Sequence, residues 1–491
     1  MCQNLNRRTT LYSKRMQNII FNRTKIIATV GPASNSKEIL KELILSGTDI
    51  FRLNFSHGDY ETHQRVINTV RELNAELGTY VSLLQDLQGP KIRVNEVEEN
   101  TILEDGQELI VTTNLIKGNN KIVSTSYKRL VSDVKVGDAI LIDDGKVELK
   151  VKSAHGDEVI TEVIHGGPLL SRKGMNLPNT AVSSSSLTQK DIDDLAFGLK
   201  NNFNWIALSF VRSAADVIDL KTRIAEAGKE IKVIAKIEKP EALDHITEII
   251  EESDAIMVAR GDLGVEIAME DVPMVQKRII FQCNKMAKPV IVATQMMESM
   301  IENARPTRAE TSDVANSVMD GADTVMLSAE TATGKFPVLA VESMVKTIQS
   351  VESSQKKIYF KYTKLNPKSP LFLNDSLIQT AVHLSQDTNA KAIVGMTTSG
   401  FTAWRLSAHR PKANIFIFTG NRKLLTTLSL IWGVRGFYYD ADESTDATIA
   451  DIGDILANAG HVKKGDVFIT MASMPIHERL RTNMLKINVV D

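Results

Sequence analysis

Cysteine is almost absent: Cys2 and Cys283 are the only two in 491 residues, and they stand far apart. That excludes a disulfide scaffold and a cysteine-rich metal site, and it suits a reducing compartment. An excess of one charge is missing too. The 58 lysines and arginines nearly balance 60 acids, for a formal charge of -2, so the basic face of a nucleic-acid binder is not expected. No apolar run is long enough to cross a bilayer, so no membrane association is expected. Neither G-x-x-x-x-G-K-[ST] nor G-x-G-x-x-G follows a strand-like run, so any nucleotide is held without a P-loop or a Rossmann turn. No H-E-x-x-H motif supports a zinc site. Acids are lacking from the first 24 residues, which carry Arg7, Arg8, Lys14, Arg15 and Arg23. That composition is transit-peptide-like, yet the segment has neither a long amphipathic apolar face nor the apolar core of a secretory signal. Residues 1–22 therefore read as a solvated arm, with Met16 as an alternative start, and the protein reads as cytoplasmic.

What is present is a repeating texture in a chain long enough for several domains. Short β-branched runs at 25–30, 50–54, 80–84, 205–210, 233–237, 255–258, 290–293 and 324–327 alternate with amphipathic stretches such as 36–45, 62–77 and 214–227. Eight β-then-α units suggest a closed (β/α)8 TIM barrel. An open doubly wound sheet would also bury strands on both faces. The polar residues decide for the barrel, because nearly every run ends in a reactive side chain: Arg52 and Asn54, Asp86, Lys236 and Glu238, Asp262, Thr294, Ser328 and Glu330. In a barrel these ends meet around one mouth.

Between the third and fourth runs the texture changes to short alternating segments broken by Asp-Gly and Gly-Asp turns. This predicts a small inserted β-barrel at 94–177, leaving and rejoining at the mouth where it can act as a lid. The barrel domain is thus read in two parts, 23–93 and 178–350. A polar, lysine-rich linker is expected at 351–368, and a C-terminal α/β domain at 369–491.

The most specific segment is Lys232-Val233-Ile234-Ala235-Lys236-Ile237-Glu238-Lys239-Pro240. Strand alternation sends Lys236 and Glu238 to the same side. Taken alone this could be an ordinary strand-end ion pair. The next run adds Asp262 in a Gly-containing turn, and two carboxylates beside a lysine suit an oxygen-rich Mg2+ site, or one for Mn2+. The cation and the ammonium would together stabilise an enolate oxygen or a transferring phosphoryl group. The turn at Gly261 should open a short helix whose free N–H groups favour an anion.

The stretch 233–243 resembles the active-site signature of pyruvate kinases, and the resemblance runs from 24 to 490. Further matching blocks are Arg52-Leu53-Asn54-Phe55-Ser56-His57-Gly58, Gly89-Pro90-Lys91-Ile92-Arg93, Lys173-Gly174-Met175-Asn176-Leu177-Pro178, Ala293-Thr294-Gln295-Met296 and Arg305-Pro306-Thr307-Arg308-Ala309-Glu310. The resemblance implies that phosphoenolpyruvate and ADP are substrates. It implies Arg52 on the transferred phosphate, Lys236 as the catalytic cation, Gly261 and Asp262 at the substrate carboxylate, and Thr294 with Ser328 in a proton relay. Asn54, Phe55, Ser56 and His57, with Arg93 and Lys173 at the two lid junctions, would serve the nucleotide. A homotetramer is also implied.

Two departures matter. The family's K+ ligands correspond to Asn54, Ser56, Asp86 and the carbonyl of Leu87, but Lys91 stands where many K+-activated members have glutamate. Lys91 is expected close to Asp86, where its charge would replace K+ and make that ion dispensable. In the C-terminal domain Thr397, Thr398, Ser399, Gly400 and Thr402 match the family's effector loop and form a plausible cradle for a phosphorylated metabolite, although a serine and threonine helix cap would look the same. The companion loop, Ala472-Ser473-Met474-Pro475-Ile476-His477-Glu478-Arg479-Leu480-Arg481, lacks the family's glycine-rich pattern. Two other readings remain, a metal-dependent lyase and a catalytically silent metabolite sensor. The nucleotide lid speaks against the first, and the intact Lys236, Glu238, Asp262 and Thr294 against the second.

Overall fold

The computed structural model describes residues 20–178, 180, 185–354, 358–361, 365–441, 444–474 and 481–491. Most of the N-terminal arm, residues 475–480 of the companion loop 472–481 and part of the serine run at 183–186 lie outside them. Eight parallel strands close a barrel: β1 (Lys25–Thr29), β2 (Ile50–Asn54), β3 (Ser82–Asp86), β4 (Trp205–Leu208), β5 (Lys232–Ile237), β6 (Ala255–Ala259), β7 (Val290–Ala293) and β8 (Thr324–Leu327). β1 pairs with both β2 and β8, which closes the ring. Alternation sorts their side chains into two cores. Ile27, Ile50, Leu84, Trp205, Ile234, Met257 and Ile291 fill the barrel interior. Ile26, Phe51, Leu83, Ile206, Val233 and Val292 pack against the outer helices. Burial on both faces is why the runs read as continuously apolar. Helix starts follow local chemistry: Ser36 and Asp59 cap the first two outer helices, and Thr307 with Glu310 forms a capping box.

β3 begins two residues later than the sequence predicts. Val81 N–H is already taken by the Asn74 side chain at 2.9 Å, so ladder pairing starts at Ser82, opposite Ile50.

The insertion is a six-stranded sheet curled around Val94, Leu109, Val111, Ile140, Leu149 and Val163. Its closure comes from the incoming segment, where Arg93 bridges to Gly174 on one edge and Val94 to Thr125 on the other. The lid therefore hangs directly from the chain that leaves β3.

The helix Pro337–Ser354 runs past the expected start of the linker. Phe360 and Lys361 N–H groups donate to the Arg410 and His409 carbonyls, so this part of the linker is fastened to the C-terminal domain. That domain has a five-stranded sheet, with β9 (Ala392–Met396), β10 (Asn414–Thr419), β11 (Val434–Tyr438) and β12 (Val467–Ala472) parallel and β13 (Met484–Val489) antiparallel at the edge. It docks under the barrel, at the strand ends opposite the mouth. Arg410 pairs with Asp323 at 2.8 Å, and Asn204 donates to Thr426 at 2.7 Å. Among the described residues no helix is long and apolar enough to cross a membrane.

Candidate active site

Strand ends bring four charged side chains into one buried cluster. Lys236 donates to Ser209 Oγ at 2.7 Å and pairs with Glu238 Oε1 at 2.9 Å and Asp86 Oδ1 at 3.2 Å. Arg52 Nε lies 2.6 Å from the other Asp86 oxygen, and its Nη1 donates to Thr29. Register explains the meeting, because Arg52 stands opposite Leu84, two residues before Asp86 on β3, and Glu238 follows the end of β5 two residues after Lys236. Burial alone would push the Asp86 carboxyl up, but Lys236 and Arg52 more than offset it and hold it below its ordinary value. Burial would likewise lower the Lys236 ammonium, yet Asp86 and Glu238 hold it well above its ordinary value. Glu238 goes the other way. Burial and the nearby Asp262 charge raise it, against the pull of Lys236.

Asp262 faces a partner that the sequence assigned elsewhere. Lys91 Nζ lies 3.1 Å from Asp262 Oδ1, rather than beside Asp86 as expected. Asp86 has Arg52 on one oxygen, and the Lys236 ammonium lies 3.2 Å from the other. The Leu87 carbonyl is similarly engaged by the Ser209 hydroxyl at 2.8 Å, and Asn54 Oδ1 by the Ser56 N–H at 3.1 Å.

The Gly261 turn also differs from expectation. Its N–H is not free for an anion but donates to Thr294 Oγ1 at 2.8 Å, while that hydroxyl donates to the Ala293 carbonyl at 2.6 Å. Ser328 Oγ is buried without a hydrogen-bond partner among the described residues. Its N–H donates to Glu330, whose carboxyl burial pushes up.

On the nucleotide side, partial burial together with Arg93, Arg52 and Lys91 lowers the His57 pKa, which marks a converging positive field at the mouth. The Phe55 side chain is buried and stacks on His63, with centroids 4.4 Å apart, and its backbone is engaged as well, the N–H donating to the Asp86 carbonyl and the carbonyl accepting from Lys190 at 2.7 Å. Arg93 donates to the Arg172 carbonyl, and Lys173 pairs with Asp143 of the lid at 2.9 Å. The lid is fastened to the barrel where Asn176 donates to the buried Glu266, which Lys239 also holds. Sequence reasoning missed Ser209, Asn176, Glu266 and Arg260. Only Ser209 left a signal, a hydroxyl at the end of the fourth run.

Thr397, Thr398, Ser399 and Thr402 line a cavity of about 1090 Å³ in the C-terminal domain, with Asn421, Asp440 and Arg481 around it. Gly400 takes a left-handed turn with φ 86°. Thr397 and Ser399 accept from the Gly400 and Phe401 N–H groups at 3.0 and 3.4 Å, so two hydroxyls serve the helix start as a cap.

A parallel barrel with buried cations at its mouth and a small sheet inserted between its third and fourth strands defines a (β/α)8-barrel protein whose mouth suits anionic ligands. Known proteins give the class its family. The pyruvate kinase barrel domain matches residues 21–341, and the pyruvate kinase alpha/beta domain matches residues 375–488. Pyruvate kinases of Staphylococcus epidermidis and Staphylococcus aureus are 43% and 44% identical over 473 residues, 95% of this chain and 80% of theirs. The crystal structure of a pyruvate kinase from Cryptosporidium parvum superimposes with a TM-score of 0.88 at 34% identity, covering 97% of each chain. The chain belongs to the pyruvate kinase family.

Proposed function

We propose that the protein transfers the phosphoryl group of phosphoenolpyruvate to ADP, giving pyruvate and ATP at the end of glycolysis in the cytoplasm. The observation that carries this reading is the Lys236–Asp86–Arg52 arrangement, in which one buried carboxylate aims two cations at the mouth. Phosphoryl transfer needs positioning and charge stabilisation more than covalent help. Arg52 grips the phosphate with its planar fork. Lys236 meets the charge that grows on the departing enolate oxygen. Asn54, Ser56, His57, Arg93 and Lys173 orient the nucleotide as the lid closes. Gly261 and Asp262 flank the carboxylate of the substrate, and Thr294 with Ser328 hands a proton to the enolate.

Glu238 and Asp262 fit a Mg2+ or Mn2+ ion. Burial first, and the Asp262 charge after it, raise the Glu238 carboxyl, and a divalent cation between the two carboxylates would offset both. A Mg2+ ion commonly takes one or two carboxylates and keeps water and substrate oxygens. When bound, the ion supplies Lewis-acid stabilisation of phosphoryl and enolate oxygens. A coupled assay of pyruvate formation from phosphoenolpyruvate, ADP and Mg2+ tests the reading. No pyruvate would leave a lyase or a silent sensor.

K+ is proposed to be dispensable. Asp86 and the Leu87 carbonyl are already engaged within the protein, and Lys91 adds a tethered charge across the mouth on Asp262. Activity is then nearly equal in K+, Na+ and tetramethylammonium salts at one ionic strength. Strong K+ activation of the unmodified enzyme contradicts this and makes Asn54, Ser56, Asp86 and Leu87 true ligands.

The C-terminal cavity is proposed as the seat of a phosphorylated effector held by Thr398, Ser399 and Thr402. A sugar phosphate or nucleoside monophosphate in a tested panel then lowers half-saturating phosphoenolpyruvate by ~5-fold or more, and Ser399→Asp abolishes the shift. A panel without response leaves the loop as a helix cap. The family suggests a homotetramer, in which such coupling would pass between subunits.

A further inference from the structure

Thr294 and Gln295 are consecutive non-glycine residues in the left-handed region, with φ 67° and 54°. For a β-branched threonine this is a rare conformation that needs an external hold. The hold is visible. Arg260 Nη2 donates to the Thr294 carbonyl at 2.7 Å and to the Gln295 carbonyl at 3.3 Å. Its Nη1 lies 2.7 Å from both Asp313 oxygens, on the helix Arg308–Asp320. The guanidinium is largely buried, at 10% side-chain exposure. One residue further on, the Gly261 N–H donates to the Thr294 hydroxyl. The start of the short helix after β6 (Arg260–Glu266) thus grips the end of β7 from both sides, by its carbonyl and by its hydroxyl.

We infer that Arg260 is a positioning residue, a clamp anchored on Asp313 that holds Thr294 in the left-handed turn from which its hydroxyl meets Gly261. The inference rests on the proposed role of Thr294 in protonating the enolate. A lysine cannot replace the clamp, because a single ammonium lacks the planar fork that spans two carbonyls and a carboxylate. Without the clamp the turn relaxes and the hydroxyl leaves Gly261. Arg52, Asp86 and Lys236 stand on other strands and keep their contacts. The loss therefore falls on proton transfer at the methyl carbon rather than on substrate binding.

The test is exchange of the pyruvate methyl protons in D2O, followed by 1H NMR with ATP and Mg2+ present. Each exchange breaks one C–H bond to give the enolate and forms one C–D bond from a solvent deuteron, with no net oxidation. Arg260→Lys slows exchange by ~10-fold or more, and Asp313→Asn slows it in the same direction. The KM for phosphoenolpyruvate stays within ~3-fold in both. Wild-type exchange in folded Arg260→Lys and Asp313→Asn, with slow exchange in Thr294→Val, overturns the clamp alone. Wild-type exchange in Thr294→Val overturns the role of Thr294. If Arg260→Lys fails to fold, Asp313→Asn, altered on a partly exposed helix face, decides.

Discussion

Lys236→Met lowers kcat by ~10^2-fold or more and changes half-saturating phosphoenolpyruvate far less. The ammonium is held by Asp86, Glu238 and Ser209 before any ligand arrives. It is therefore pre-aimed, and its stabilisation is greatest when the enolate oxygen carries most charge. Methionine keeps much of the volume and loses the charge. It also strips Glu238 of the cation that opposes burial, so that carboxyl moves further up. Asp86 keeps Arg52, which limits the structural damage. Because the Lys236 pKa is held above its ordinary value, its charge and the stability it contributes persist through neutral and mildly alkaline pH, and are lost only as pH rises through that elevated value. Any fall of activity nearer neutrality belongs to another group. Steady-state kinetics of the variant decide, and turnover within a few-fold of wild type removes Lys236 from the chemistry.

Glu238→Gln and Asp262→Asn each raise the half-saturating Mg2+ concentration by ~10-fold or more, a loss of about 1.4 kcal/mol of binding. The two differ in side effects. Glu238→Gln also removes an anion from Lys236 and so lowers kcat at saturating metal. Asp262→Asn frees Lys91 and leaves the Lys236 contacts with Asp86, Glu238 and Ser209 in place. Metal titrations of initial rate measure both. Unchanged curves in both variants put the cation elsewhere.

Much of this was legible in the sequence because strand periodicity carries both the fold and the site. A period of two puts Lys236 and Glu238 on one side, and the barrel reading puts them beside Asp86 and Asp262. The structure bears out the eight strands, the inserted curled sheet and the C-terminal domain. What failed was partner choice. Lys91 has a long flexible stem after the Gly89 turn, and its target depends on where the carboxylates around the mouth stand in space. Gly261 N–H was expected to be free, but the neighbouring strand brings Thr294 onto it. Arg260 gave no signal, because its role exists only once two strand ends and a helix meet. The short helix Arg422–Thr427, capped by Asn421, was likewise unread, since six residues are too few to show a period.

The most direct measurement is 31P NMR of phosphoenolpyruvate and ADP with Mg2+, comparing the protein with Lys236→Met. Loss of the phosphoenolpyruvate resonance with matched growth of the ATP γ-phosphate resonance, nearly abolished in the variant, is the expected result. Release of inorganic phosphate without ATP, or equal conversion by both proteins, would contradict the proposed transfer.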